Sequence, residues 1–161
     1  MQVHLLRHGT AEDISGEGSD AKRKLTGGGR DEVRRAAECA RRAKIAPTLI
    51  LSSPFVRAIE TAEIAAEVLA YRAGIVRTEA LIPSASPQRV WNEIRNRHDA
   101  MQVLLAGHEP LLSHLAAYLL NSPALRIDMR KASFVRIDLD LLAPNPSGVL
   151  KWMATPDICP G

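Results

Sequence analysis

The chain has 161 residues, room for one domain with a hydrophobic core and too few for two comfortable ones. At 46% hydrophobic and 24% charged residues, with a net charge of +3, it has the balance of an ordinary globular protein, which excludes a disordered or fibrous chain. The basic excess is mild, and no Lys/Arg run is interleaved with the aromatics that stack bases, so a nucleic-acid partner is not expected. A solvated basic surface, or a local pocket for a small anion, is the expected source of that charge.

With aromatics at 4%, the core must be built from Leu, Ile, Val and Ala. Cys39 and Cys159 lie far apart in the chain and form no CxxC pair, which argues against a metal or redox motif and for reduced thiols. Cys39 falls in a helical pattern, where a small hydrophobe is the usual role. No apolar stretch is long enough for a membrane span, and the N-terminus lacks a signal-peptide pattern. A cytoplasmic protein without membrane contact is expected, read as one domain over 1–161.

In chain order, Val3 to Leu6 reads as a compact strand, followed by a polar loop from Gly9 to Lys24. A helix starts near Thr26 as N-cap, with Val33, Ala36, Ala37, Ala40 and Ala43 at helical spacing. Thr48 to Leu51 is a second strand. Ser53-Pro54 then reads as an N-cap and first helical turn, opening a helix to about Ala73. Ile59, Ala62, Ala66 and Leu69 would share its buried face. Ile75 to Thr78 is a weaker strand, and the Pro/Ser loop at 83–87 leads into a helix through Trp91 and Ile94. Met101 to Ala106 is the most apolar strand. Glu109-Pro110 starts a helix carrying Leu112, Leu115, Ala116, Leu119 and Leu120. Ser133 to Leu139 alternates Phe134, Arg136 and Asp138 against Val135, Ile137 and Leu139, so one sheet face is expected to be more exposed than the other. Val149 to Met153 would pair with it after a turn at 144–148.

Strands alternating with helices predict an α/β, three-layer architecture with a largely parallel central sheet flanked by helices. Three strands end in charged or imidazole side chains: Arg7-His8-Gly9, the Ser52 to Arg57 segment, and Gly107-His108-Glu109. Parallel strands present their C-terminal ends on one edge, where open α/β proteins bind ligands. Arg7, His8, Arg57 and His108 therefore converge on one rim. Arg57 would lie in the first turn of its helix, where free N–H groups already favour an anion. Two arginines and two histidines without a carboxylate partner make a cationic pocket for a phosphoryl group. His4 is read as packing or support, and His98 and His114 as structural or exposed.

These residues lie in segments that match a known family. Leu6-Arg7-His8-Gly9-Thr10 resembles the Arg-His-Gly signature of the histidine phosphatase superfamily, which includes the phosphoglycerate mutases. Residues 52–62 resemble its second motif, and Gly107-His108-Glu109-Pro110 its third. The short chain and Arg23-Lys24-Leu25-Thr26-Gly27-Gly28-Gly29 look like the SixA-type protein phosphohistidine phosphatases, which lack a large cap insertion. The resemblance implies a phosphoglycerate mutase-like fold and a metal-independent, cofactor-free phosphatase. It implies that His8 is the phosphorylated nucleophile, and that Arg7, Arg57 and His108 bind and stabilise the phosphoryl group. Gly9, Thr10, Arg23 and Glu109 are the accompanying substrate-binding candidates.

A nucleophilic imidazole must be neutral, and nearby arginines lower its pKa in that direction. Its other nitrogen should be held by a backbone carbonyl, that of Gly9 being the candidate. Many phosphomonoesterases and mutases of the superfamily carry a general-acid carboxylate after the third strand. Here Glu79 is the only acid nearby in sequence, with Glu12, Asp13 and Asp20 in the first loop as other candidates. An alkoxide leaving group needs a proton donor, whereas imidazole leaves more easily. The expected substrate is thus phosphohistidine on a protein. The alternatives are a small phosphorylated substrate turned over by the same residues, or a phosphate-binding module without turnover.

Overall fold

The computed structural model describes residues 1–14, 19–140 and 142–159. The expected first loop runs through 15–18, and that stretch lies outside the described residues.

Six strands form one sheet: β1 (Gln2–Arg7), β2 (Leu49–Ser52), β3 (Val76–Arg77), β4 (Gln102–Gly107), β5 (Phe134–Asp138) and β6 (Val149–Ala154). Their order is β3-β2-β4-β1-β5-β6. The β1–β4, β4–β2 and β2–β3 pairs are parallel, and β5 pairs antiparallel with both β1 and β6. Among the described residues, four α-helices flank the sheet: α1 (Gly27–Arg42), α2 (Val56–Val68), α3 (Pro87–Arg95) and α4 (Leu111–Leu119).

The three layers follow from alternation along the buried strands, because successive side chains point to opposite faces. Val3 and Leu5 join Val103, Leu105, Trp91, Leu112 and Leu115 on the α3/α4 side. Leu6 joins Leu104, Ile50, Ala37, Ala62 and Ala65 on the α1/α2 side. The small alanines of α1 and α2 let those helices lie close to the sheet. Burying each large aliphatic side chain contributes roughly 1.5–3 kcal/mol.

Local signals account for most helix ends. Thr26 Oγ1 accepts from Gly29 N–H, and Ser86 Oγ accepts from Arg89 N–H with Pro87 opening α3. The second helix departs from expectation at both ends. It begins at Val56 with Phe55 as N-cap; Ser53 Oγ accepts from Phe55 N–H at 3.3 Å in the turn ahead of the helix while also sharing a hydrogen bond with His108. It ends at Val68, before Ala73: Ala70 adopts a left-handed φ of 55° and Tyr71 N–H bonds Ala66 O, closing the helix. Ala43 caps α1 and is exposed, off the buried face. On β5, Arg136 and Asp138 are half-buried and pair with each other, but Phe134 is fully buried between His4 and Trp152. The two cysteines, distant in sequence, come near each other: burial, then the neighbouring Cys39, pushes the Cys159 thiol up to about 12.

Candidate active site

β1 and β4 are neighbours and in register, Arg7 opposite Gly107, so the residues that follow them emerge side by side. The His8 and His108 rings lie 5.1 Å apart, centroid to centroid. β2 lies on the other side of β4, with Ser52 opposite Ala106, and delivers Ser53 and Arg57 to the same edge. Arg57 sits in the first turn of α2, its guanidinium 5.2 Å from the Phe55 ring centroid. The four residues expected to converge are brought together.

The loop after β1 is pressed against α1 with no room for a side chain. A Cβ on Gly29 would lie 1.9 Å from Thr10 O, and one on Gly9 would lie 2.4 Å from Gly29 O. Glu32 of α1 accepts from the Thr10 N–H at 2.9 Å and from its hydroxyl at 3.0 Å. Ala132 N–H bonds His8 O from the other side. His8 is thereby fixed at its backbone.

Its ring is fixed as well. His8 Nδ1 lies 2.7 Å from Gly9 O, and a carbonyl oxygen only accepts, so Nδ1 carries the proton. Nε2 is left with its lone pair, and Arg57 Nε–H donates to it at 3.2 Å. Burial, reinforced by Arg57 and Arg7, lowers the His8 pKa to about 4, with the Gly9 hydrogen bond opposing the shift. The ring is neutral at neutral pH, as a nucleophile requires.

His108 is 1% exposed, and its Nε2 shares a 2.8 Å hydrogen bond with Ser53 Oγ. Burial, then the charges of His8 and Arg57, lowers its pKa to about 3. Its Nδ1 and the Nε–H of Arg7 are buried without a hydrogen-bond partner among the described residues. Buried polar groups are seldom left so, and an unpaired one carries a desolvation penalty of about 1–3 kcal/mol. An oxyanion accepting from the arginine would remove part of that penalty. Arg7 Nη1 donates to Met129 O at 2.6 Å, which holds the guanidinium at the rim.

Of the four candidate acids, Asp20 alone makes hydrogen bonds to the cluster among the described residues. Arg57 donates to its backbone O at 2.6 Å and to Oδ2 at 3.0 Å. Arg23 holds Asp20 in turn, through Oδ1 at 2.9 Å, and also donates to Glu12 O. The Arg23 hydrogen bond, followed by Arg57, keeps the Asp20 carboxyl below the ordinary aspartate range, so it is ionised at neutral pH. Glu12, Asp13 and Glu79 are exposed. Glu109 turns to its own helix and accepts from Ser113 N–H at 2.9 Å. Among the described residues, no group of three or more His, Cys, Asp or Glu side chains is placed to hold a metal.

Three contributors escape a reading by residue type. Ser53 reads as a helix cap, yet its hydroxyl meets His108. Thr61, one turn after Arg57, donates to Arg57 O at 2.7 Å and accepts the Gly9 N–H at 3.4 Å, tying α2 to the His8 loop. Met129 acts through its carbonyl, which carries no residue-type signal.

A sequence profile of the histidine phosphatase superfamily (branch 1) matches residues 3–82. The phosphohistidine phosphatase SixA of Escherichia coli (strain K12) is 29% identical over 165 residues, covering 97% of this chain and 94% of that protein. A solved structure of the protein histidine phosphatase SixA complexed with tungstate is 28% identical and superposes with a TM-score of 0.86, covering 98% of each chain. A mycobacterial glucosyl-3-phosphoglycerate phosphatase, 20% identical with a TM-score of 0.73 over 96% of this chain and 99% of that one, shares the fold. The chain is a SixA-like phosphatase: the histidine phosphatase superfamily profile matches about half of it, and SixA proteins match nearly all of it in sequence and fold.

Proposed function

We propose that this phosphatase removes phosphate from phosphohistidine on a protein, through a phosphohistidine intermediate on His8. The neutral Nε2 of His8 attacks phosphorus in line with the substrate's imidazole. The substrate P–N bond breaks, the departing nitrogen keeps the electron pair, and the ring, already protonated from solvent at its other nitrogen, leaves as neutral imidazole. Arg7 and Arg57 receive the phosphoryl oxygens, and His108 supports the same group through its free Nδ1. Their hydrogen bonds strengthen as charge shifts in the transition state. Water then attacks phospho-His8, releasing inorganic phosphate and regenerating the neutral ring. Gly9 and Thr10 shape the anion loop, and Arg23 acts through Asp20.

The observation that carries the choice of substrate is the state of Asp20. The acid in contact with the cluster is paired with two arginines and ionised, so it is a poor proton donor. A leaving alkoxide needs such a donor, and an imidazole does not. The SixA relatives at 28–29% identity, one holding tungstate, a tetrahedral oxyanion, support the same reading. We further propose that residues 1–161 act as one domain in the cytoplasm, where Cys39 and Cys159 stay reduced. No helix among the described residues is long and apolar enough to cross a membrane.

The test is substrate profiling with trapping. Phosphohistidine protein should be turned over far faster than sugar phosphates or nucleotides, and enzyme quenched in alkaline detergent should carry an acid-labile, alkali-stable phosphate on His8, absent in His8→Ala. A strong preference for monoesters would overturn the substrate, and undiminished turnover by His8→Ala would overturn the mechanism.

A further inference from the structure

A cavity of about 390 Å³ adjoins the reaction centre through Arg7 and Thr10. Its other walls come from three separate parts of the chain: Arg35 on α1, Arg130 and Lys131 before β5, and Asp157 near the C-terminus. Apart from Arg7 and Thr10, its lining residues take no part in the proposed chemistry at His8.

The charges lining it are unequally engaged. Glu32 holds the Thr10 amide and hydroxyl, and Asp157 pairs with Arg130 at 2.5 Å. Asp128 is the remaining carboxylate on the wall. Arg35 and Lys131 have no side-chain partner among the described residues, and both are exposed. Two uncommitted cations thus face one uncommitted carboxylate beside Arg7. Like charges held together favour an anion between them, and a half-enclosed polar wall strengthens that attraction relative to open solvent.

We propose that this cavity is a substrate subsite that takes an acidic side chain flanking the phosphohistidine, held by Arg35 and Lys131. The inference rests on the reading that the substrate is a phosphohistidine-bearing protein. On a helix, residues three or four positions from the phosphohistidine lie roughly 5–6 Å from it, which puts them over the neighbouring cavity when the phosphoryl group is at Arg7. The cavity volume falls within the roughly 300–1,000 Å³ typical of ligand sites, ample for a carboxylate side chain and its waters. The subsite would set which phosphoproteins are hydrolysed and leave the chemistry at His8 to the four central residues.

The test uses helical peptides of one length, each with a single phosphohistidine and with Asp, Asn or Lys three and four positions away, alongside 1-phosphoimidazole. The wild-type protein is expected to show kcat/KM roughly fivefold higher for Asp than for Asn peptides at low salt, with the ratio shrinking as salt screens the contact. In Arg35→Glu and Lys131→Glu the ratio should fall to about one or reverse in favour of Lys. It is compared within each variant, with 1-phosphoimidazole turnover reporting that the variant is folded. Equal turnover of Asp and Asn peptides by the wild type, or a preference surviving both substitutions, would overturn the subsite. Failure to turn over 1-phosphoimidazole and every peptide would overturn the phosphohistidine reading itself.

Discussion

Arg57 donates its Nε–H to the Nε2 of His8 across 3.2 Å while both of its terminal nitrogens hold Asp20. One side chain therefore marks the nucleophilic lone pair and is itself steered by a carboxylate. The arrangement keeps a buried guanidinium, 4% exposed, paired when no phosphoryl group is present. It also places the donors of Arg57 beside the position that an attacked phosphorus must occupy.

Asp20 is a positioning residue in this scheme, because it acts through Arg57 and is ionised. Asp20→Asn keeps a hydrogen-bond acceptor and should lower kcat/KM on phosphohistidine substrates by roughly three- to tenfold, the scale of one weakened surface-exposed charge contact. The alkaline side of the pH profile should stay in place. Steady-state kinetics across pH would decide: loss of an alkaline limb together with a fall of about 10²-fold or more would make Asp20 the proton donor instead.

Activity should persist into acid. His8 and His108 are lowered from 6.5 to about 4 and about 3 by burial and neighbouring charge. The attacking nitrogen is therefore unprotonated well below the range of an ordinary histidine. The acid limb of kcat/KM should fall below pH 5, measured in the window where the protein remains folded. A limb centred near 6.5 would show that the nucleophile is solvated as in a free histidine.

Stability should follow the opposite trend. His4 is fully buried, and burial, then Arg136, lowers its pKa to about 4. A histidine with a depressed folded-state pKa contributes stability that is fully present above 6.5 and is lost as pH falls toward that depressed value. In that window each such histidine contributes up to about 1.4 kcal/mol per pH unit. His4→Phe, facing Phe134, should flatten the dependence by about one histidine and raise stability at pH 5. Urea unfolding at pH 7, 6 and 5 measures this, and an unchanged slope would refute it.

The contact between α1 and the His8 loop should tolerate no side chain at Gly29. A Cβ there would meet Thr10 O at 1.9 Å, backbone against backbone, so neither side can yield by a rotamer change. Gly29→Ala should cost about 2 kcal/mol or more and depress kcat by displacing His8. Gly28→Ala on the same helix meets only Thr26 Oγ1 at 4.0 Å and serves as the control. Equal stability of the two variants by denaturant unfolding would contradict the close approach.

By itself the sequence determined the elements and which of them end in reactive side chains. Val3 to Leu6 and Met101 to Ala106 read as buried strands because their apolar runs are short and bounded by polar turns. Thr26 marks a helix start because a cap forms within a few residues of itself. The convergence of Arg7, His8, Arg57 and His108 was legible because parallel strands share an edge whatever their order. Tertiary structure alone decided what those side chains touch. The Arg7 contact with Met129 spans 122 positions, that of His108 with Ser53 spans 55, and that of Arg57 with Asp20 spans 37. Ser53 illustrates the limit: beside Pro54 its local signal is a helix cap, and only the adjacency of β2 and β4 turns its hydroxyl to His108. The same reason hid the choice among Glu79, Glu12, Asp13 and Asp20, the burial of Phe134, and the meeting of Arg35 with Lys131 around one cavity. Backbone conformation is set within a turn or two of the chain, whereas a partner for a charge is set by which strands lie next to each other.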